Sequence, residues 1–183
     1  MQYGNIITDI CARCNDPLKD RLEDRAKDHF LSAIYAIIDS GKYELIDIAG
    51  YYKVDPDISF NYDLTTNSVY KVLEIFPNPT GTLANNQLAR FTIKNMNDIK
   101  KMANNEELQP ATEDIFVYRI GNTLYEIGES SNNYTGDVYM TYIQNIDDSD
   151  WSDNTDLSNK FSNKLLKSAI GMAAASLLQE DSQ

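Results

Sequence analysis

The sequence holds one histidine, His29, two cysteines, Cys11 and Cys14, and one tryptophan, Trp151. A structural zinc site takes four ligands. These three sulfur and nitrogen donors fall short, and nothing in the sequence places carboxylates to complete a set. A redox Cys-x-x-Cys opens a helix after a strand in a βαβ unit. Cys11 and Cys14 instead end an expected helix with no strand before it, so they are read as small hydrophobes. His29 falls within a charged helix beside its apolar stripe, a setting for a packed or surface residue rather than a general base. The Gly-x-Ser-x-Gly elbow and the two glycine-rich phosphate loops are missing. No catalytic, cofactor or metal residue is assigned, and the chain is read as non-enzymatic.

Basic charge is also scarce. Sixteen Lys and Arg face 28 Asp and Glu, for a net charge of −12. A phosphate-reading surface needs clustered cations, so a nucleic-acid reader is excluded. Long apolar runs are absent too. The most apolar stretch, Ser168 to Leu178, is about half of the ~20 residues that a membrane span takes. Met1-Gln2-Tyr3-Gly4-Asn5 has no basic segment leading into an apolar one, so no signal peptide is expected and a cytoplasmic origin is.

What is present suits one α+β domain over residues 1–183. Ile6, Ile7, Ile10, Cys11 and Cys14 share one face of a first helix. Asp16-Pro17 predicts the start of a second, with Asp16 as N-cap and Pro17 at the first helical position. That helix is expected to run to about Asp39, with Leu18, Leu22, Ala26, Phe30, Ala33, Ile34 and Ile37 on its apolar stripe, and to end at Gly41. Its first half is the more charged and is expected to project or pack lightly. Residues 42–54 fit a helix or a strand. Strands are expected around Tyr51–Val54, Ile58–Tyr62, Ser68–Phe76, Ala89–Ile93 and Asp137–Ile146. A hairpin is expected about Gly121-Asn122, and a small helix capped by Asn97. A final helix is expected from Asp156, with Leu157, Phe161, Leu165, Ala169, Met172 and Leu177 on one face. The fold class is therefore α+β. The N-terminal helix pair and the C-terminal helix (1–50 and 155–183) pack together, and a central antiparallel β region (about 51–146) is inserted between them.

Two features point to surfaces. Residues 147–156 hold Asp147, Asp148, Asp150, Asp153 and Asp156 with no basic residue. The run lacks the EF-hand pattern and reads first as a solvated acidic connector. The twelve tyrosines concentrate in the β region, as strand propensity predicts. Tyr is also enriched at protein interfaces.

The C-terminal third carries a resemblance. A hairpin about Gly121-Asn122 is followed by the strand Val138-Tyr139-Met140-Thr141-Tyr142-Ile143, a polar connector and a closing helix from Phe161 to Glu180. This order resembles the head-to-tail connector proteins of tailed bacteriophages, the adaptor, ring, gatekeeper or tail tubular proteins. The likeness is greatest to those of podovirus-like tails, including the crAss-like phages. The N-terminal helix pair fits the same layout, and the last ~70 residues match in detail. The resemblance implies a structural virion protein of the neck or tail, made in the host cytoplasm. It implies a ring, commonly of twelve copies, that binds the portal and neighbouring tail or ring proteins. Double-stranded DNA would pass through without specific binding, and no membrane, enzyme activity or cofactor is involved.

On that reading Arg21, Glu23, Arg25 and Lys27 on the second helix are expected at the ring interface together with Trp151. Asp147, Asp148, Asp150 and Asp153 are expected to face the channel, where acid keeps DNA from sticking. The alternative is a soluble acidic regulator, or a DNA-mimic inhibitor of a nucleic-acid-binding protein. A carboxylate-based metal hydrolase ranks third.

Overall fold

The computed structural model describes residues 1–41, 52–55, 62–65, 68–77, 90–102, 105–108, 110, 114–127 and 138–181. In chain order the elements are α1 (Tyr3–Arg13), α2 (Glu23–Ser40), β1 (Tyr52–Asp55), β2 (Tyr62–Asp63), β3 (Val69–Pro77), β4 (Arg90–Lys94), α3 (Met96–Met102), β5 (Asp114–Ile120), β6 (Thr123–Ile127), β7 (Val138–Gln144) and α4 (Asn163–Asp181). They form an α+β protein with N-terminal helices, central strands and a C-terminal helix. The chain divides into two compact units. One is helical, Met1–Tyr51 with Ile146–Gln183; the other is the β unit, Tyr52–Asn145. Most of the segment read as helix or strand, 42–51, lies outside the described residues, as does 58–61 of the strand expected over Ile58–Tyr62.

In the helical unit α1 buries Ile6, Ile7, Ile10 and Cys11. It ends in a Schellman motif. Asn15 takes the left-handed conformation (φ 59°), and the N–H groups of Asn15 and Asp16 donate to the carbonyls of Ala12 and Cys11. Asn tolerates that conformation better than most residues do. The second helix does not begin at Pro17. It begins at Glu23, because Lys19 is also left-handed (φ 59°) and a left-handed residue cannot continue a right-handed helix. Asp16 caps this turn rather than a helix: its carboxylate accepts from the N–H of Arg21 (3.0 Å) and of Leu22 (2.9 Å). Those bonds hold its pKa below the usual carboxylate range. Asp16 is also the one buried charged residue among those described. Asp16→Ala is expected to lower the thermal midpoint by orphaning the Leu22 N–H. Asp16→Asn, which keeps an acceptor, is expected to fall between Asp16→Ala and wild type; calorimetry checks both.

The first half of α2 does not project. Leu22, Ala26 and Phe30 are buried, whereas Leu18, expected on the same stripe, is 76% exposed because it stands in the turn before the helix. Gly41 closes the helix at φ 61°, its N–H donating to the Ile38 carbonyl. At the other end of the chain, Asp156 caps only a short 3₁₀ turn, Leu157–Asn159. The final helix starts later, where the Ser162 hydroxyl accepts from the Leu165 N–H. Its buried stripe is Leu165, Leu166, Ala169, Ile170, Ala173, Ala174 and Leu177. Met172, expected on that face, is 45% exposed: it falls about 100° from the outermost line, and Ala173 takes the inward position.

In the β unit, β7 is the middle strand of one sheet, β1-β7-β3. The second sheet runs β2-β6-β5-β4. Leu64, Val69, Ile75, Ile115, Val117, Leu124, Met140 and Tyr142 pack into one core drawn from both sheets. The expected hairpin joins β5 to β6 through Gly121 (φ 57°). The pairings are antiparallel except β4 with β5, which is parallel. The reason is the crossover: α3 lies between these strands in sequence, and a parallel partner needs such a connection. The cap of α3 is Asn95, whose side chain accepts from the Asp98 N–H (2.9 Å). Asn97, the expected cap, lies within the helix.

Candidate interaction surface

The acidic connector is built onto the start of α1. The N–H of Tyr3 donates to the Thr155 carbonyl (2.9 Å), that of Gly4 to Asp153 (3.0 Å), and that of Leu157 to Met1 (3.0 Å). Trp151 packs edge-on against Tyr3 (5.3 Å between ring centroids) and Phe161 (6.2 Å). Its indole N–H is buried and meets no acceptor among the described residues. The ring is therefore part of the unit's packing. Beside it the Tyr3 phenol is pushed up to about 12 by burial.

The carboxylates of the connector point outward. Asp147, Asp150 and Asp153 are exposed and Asp148 is half-buried. Asp147 accepts from the hydroxyl and N–H of Ser149, which hold its pKa below the usual range. Asp153 lies 3.9 Å from the Lys19 ammonium. Asp156 accepts from the chain's amino terminus (2.6 Å) and from the hydroxyl and N–H of Ser158 (2.7 and 3.0 Å). The amino terminus first and Ser158 second lower its pKa from 3.8 to about 2. A pKa lower in the fold than in the unfolded chain stabilises above the unfolded value. That contribution is therefore full above about pH 4 and lost as pH falls through about 2. Stepped-pH denaturation checks this: the gap between wild type and Asp156→Asn is expected to close across that window.

Several charges of α2 are paired within the chain. Arg25 reaches Glu180 (2.7 Å) and Asp181 (2.8 Å) at the end of α4. Lys27 pairs with Glu23 (2.9 Å) and Asp24 (3.5 Å). The His29 Nε2 lies 3.0 Å from Glu180. Arg21, exposed, stands in the turn before the helix. Of the residues expected at a ring interface, then, Glu23, Arg25 and Lys27 tie α2 to itself and to α4, and Trp151 ties the connector to the core.

Both cysteines are buried and unbridged, and burial raises both thiol pKa values. Among the described residues no three His, Cys, Asp or Glu side chains converge to hold a metal ion. A groove of about 370 Å³ beside α1 includes Asp9, Arg13 and Lys167, but Arg13 is already bound to Asp9 through two bonds.

A surface the sequence reading does not single out is the solvent face of α4. Lys164, Lys167, Gly171, Ala175 and Leu178 follow one another at steps of three or four and are all exposed, with Met172 beside them. The readable signal is charge. Between Leu157 and Gln179 there are three lysines and no carboxylate, in a chain of net charge −12.

On the β unit, Tyr118 and Tyr125 stack across the hairpin at 5.5 Å and are half-buried, while Tyr142 lies fully inside. No helix of the described chain is long and apolar enough to cross a membrane. Comparison with protein-family models and with curated proteins finds no match.

Proposed function

We propose that this chain is a structural virion protein that forms a ring in the neck or tail of a tailed bacteriophage, joins the portal to the tail and extends the DNA channel. The observation that carries this reading is the order and grouping of elements. A helix pair and a closing helix form one unit, strands are inserted between them, and an acidic connector leads into the closing helix. Three further features support it. The connector holds Asp147, Asp150 and Asp153 outward on a backbone pinned to α1, which suits a wall past which DNA slides. The half-exposed Tyr118–Tyr125 stack suits contact with a neighbouring ring protein. The face of α4 offers contact to a like subunit.

The second reading, an acidic regulator that mimics DNA, draws on the same outward carboxylates and on Asp24, whose side chain is 98% exposed. Quantitative mass spectrometry of purified DNA-filled particles separates the two. A copy number near that of the portal protein is the result expected of a ring. Absence from the particles overturns the ring and moves the regulator to the front.

A further inference from the structure

The solvent face of α4 combines lysines with exposed apolar side chains. The stretch 157–179 carries +3, which leaves −15 on the rest of the chain. On α4 the lysines come first and the apolar side chains follow. Met172 is 45% exposed and Leu178 43%. A Cβ placed on Gly171 would meet nothing within 4 Å, so the face is open at that position. Single exposed apolar residues need no explanation, but a contiguous face does.

We infer that this face of α4, Lys167 with Met172, Ala175 and Leu178, is the seat of a second copy of this chain. Charge selects the occupant. The rest of the chain carries −15, so a like molecule presents an excess of carboxylates for Lys167 to meet. The unit offers a matching surface on α2. The outward face of that helix shows Asp24 and Asp28 at four-residue spacing, followed by the small exposed residues Ser32 and Ala36. A contact between the α4 face of one copy and the α2 face of the next joins two different surfaces and is therefore head-to-tail, the kind that closes into rings. The small residues let the two helices approach closely, and the lysine–aspartate pairing fixes which faces meet. This inference deepens the ring reading by naming its surface, and it rests on that reading only for the number of copies.

The test is native mass spectrometry of the purified full chain, wild type and Ala175→Glu, across a concentration series. The carboxylate would be buried without a partner in the contact, so association is expected to weaken on the order of a hundredfold. The melting temperature should not change, because Ala175 faces solvent in the single chain. Lys167→Glu is the second variant, and its loss of association should be accompanied by a weaker salt dependence. Assembly of the wild type that Ala175→Glu and Lys167→Glu both abolish supports the surface. Assembly that survives both variants overturns the surface and leaves the ring reading standing. A wild type that stops at two copies, and is lost in Ala175→Glu, keeps the surface and overturns the ring. A wild type that stays single at the highest concentration overturns the inference, and the ring reading then stands or falls on the particle copy number.

Discussion

Phe161→Ala is expected to lower the unfolding free energy of the helical unit by about 3–5 kcal/mol. Phe161 is fully buried and lies just before α4, where the chain turns from the 3₁₀ turn into the helix. Its ring meets Trp151 at 79°, Trp151 meets Tyr3 at 72°, and Tyr3 lies 6.2 Å from Phe30. One aromatic chain thus links the connector, α1, α2 and the entry to α4. Removing Phe161 takes away a large apolar side chain and leaves a cavity that this chain cannot readily close, because the connector is pinned to α1 by backbone hydrogen bonds. Met172→Ala is the control: it removes a side chain of similar apolar character from the exposed face, and should stay within about 0.5 kcal/mol. Urea denaturation followed by Trp151 fluorescence measures both. A loss below about 1 kcal/mol for Phe161→Ala would mean that the cluster does not hold the connector in place.

The elements are legible in the sequence where one face alone is apolar. The stripe of α1, the burial along α2, the hairpin at Gly121 and the strand Val138–Gln144 follow from spacing alone, since each pattern has one period and one buried side. The ends of helices are harder. Asp16-Pro17 has the residue types of a helix start, but a left-handed Lys19 lies two residues further on, and no residue type announces it. Asp156 and Ser162 are both good caps, six residues apart. The nearer one to the helix serves α4, and the other serves a turn too short to leave a periodic trace. The parallel pairing of β4 with β5 is a long-range choice, which strand patterns do not encode. The same holds for the surfaces. Charged residues on α2 read as interface because a sequence cannot show that Arg25 already meets Glu180 and Asp181 more than 150 residues away. Trp151 reads as an interface residue from the acidic connector around it in sequence, whereas its neighbours in space are Tyr3 and Phe161. The face of α4 is legible in part. Its small residues are visible, but which side of an almost wholly apolar helix stays bare depends on where α1 and α2 pack.

Gly4→Ala is expected to destabilise the helical unit by about 1–3 kcal/mol, although alanine is the better helix former. The reason is a close approach. A Cβ on Gly4 would lie 2.8 Å from the Asp153 Cβ and 3.0 Å from its Cα, closer than two carbons can pack. The backbone there has little freedom to withdraw, because the Gly4 N–H donates to the Asp153 carbonyl at 3.0 Å and the adjacent Tyr3 N–H to Thr155 at 2.9 Å. To admit the methyl, the connector must lift, and these bonds lengthen together. The opposite sign is expected at Gly171, which is helical, exposed and open on all sides. There Gly171→Ala should stabilise by up to about 1 kcal/mol, since alanine loses less backbone entropy on entering a helix. The pair of substitutions is chemically identical, so intrinsic helix propensity favours both and the difference isolates the contact. If Gly4→Ala also stabilises in thermal melts, the connector is not seated on α1, and Asp147, Asp150 and Asp153 lose the fixed placement on which their role as a channel wall depends. If the two shifts are opposite, and hydrogen exchange at the backbone amides of positions 3 and 4 quickens only in Gly4→Ala, then one glycine sets how closely the acidic segment can approach the first helix.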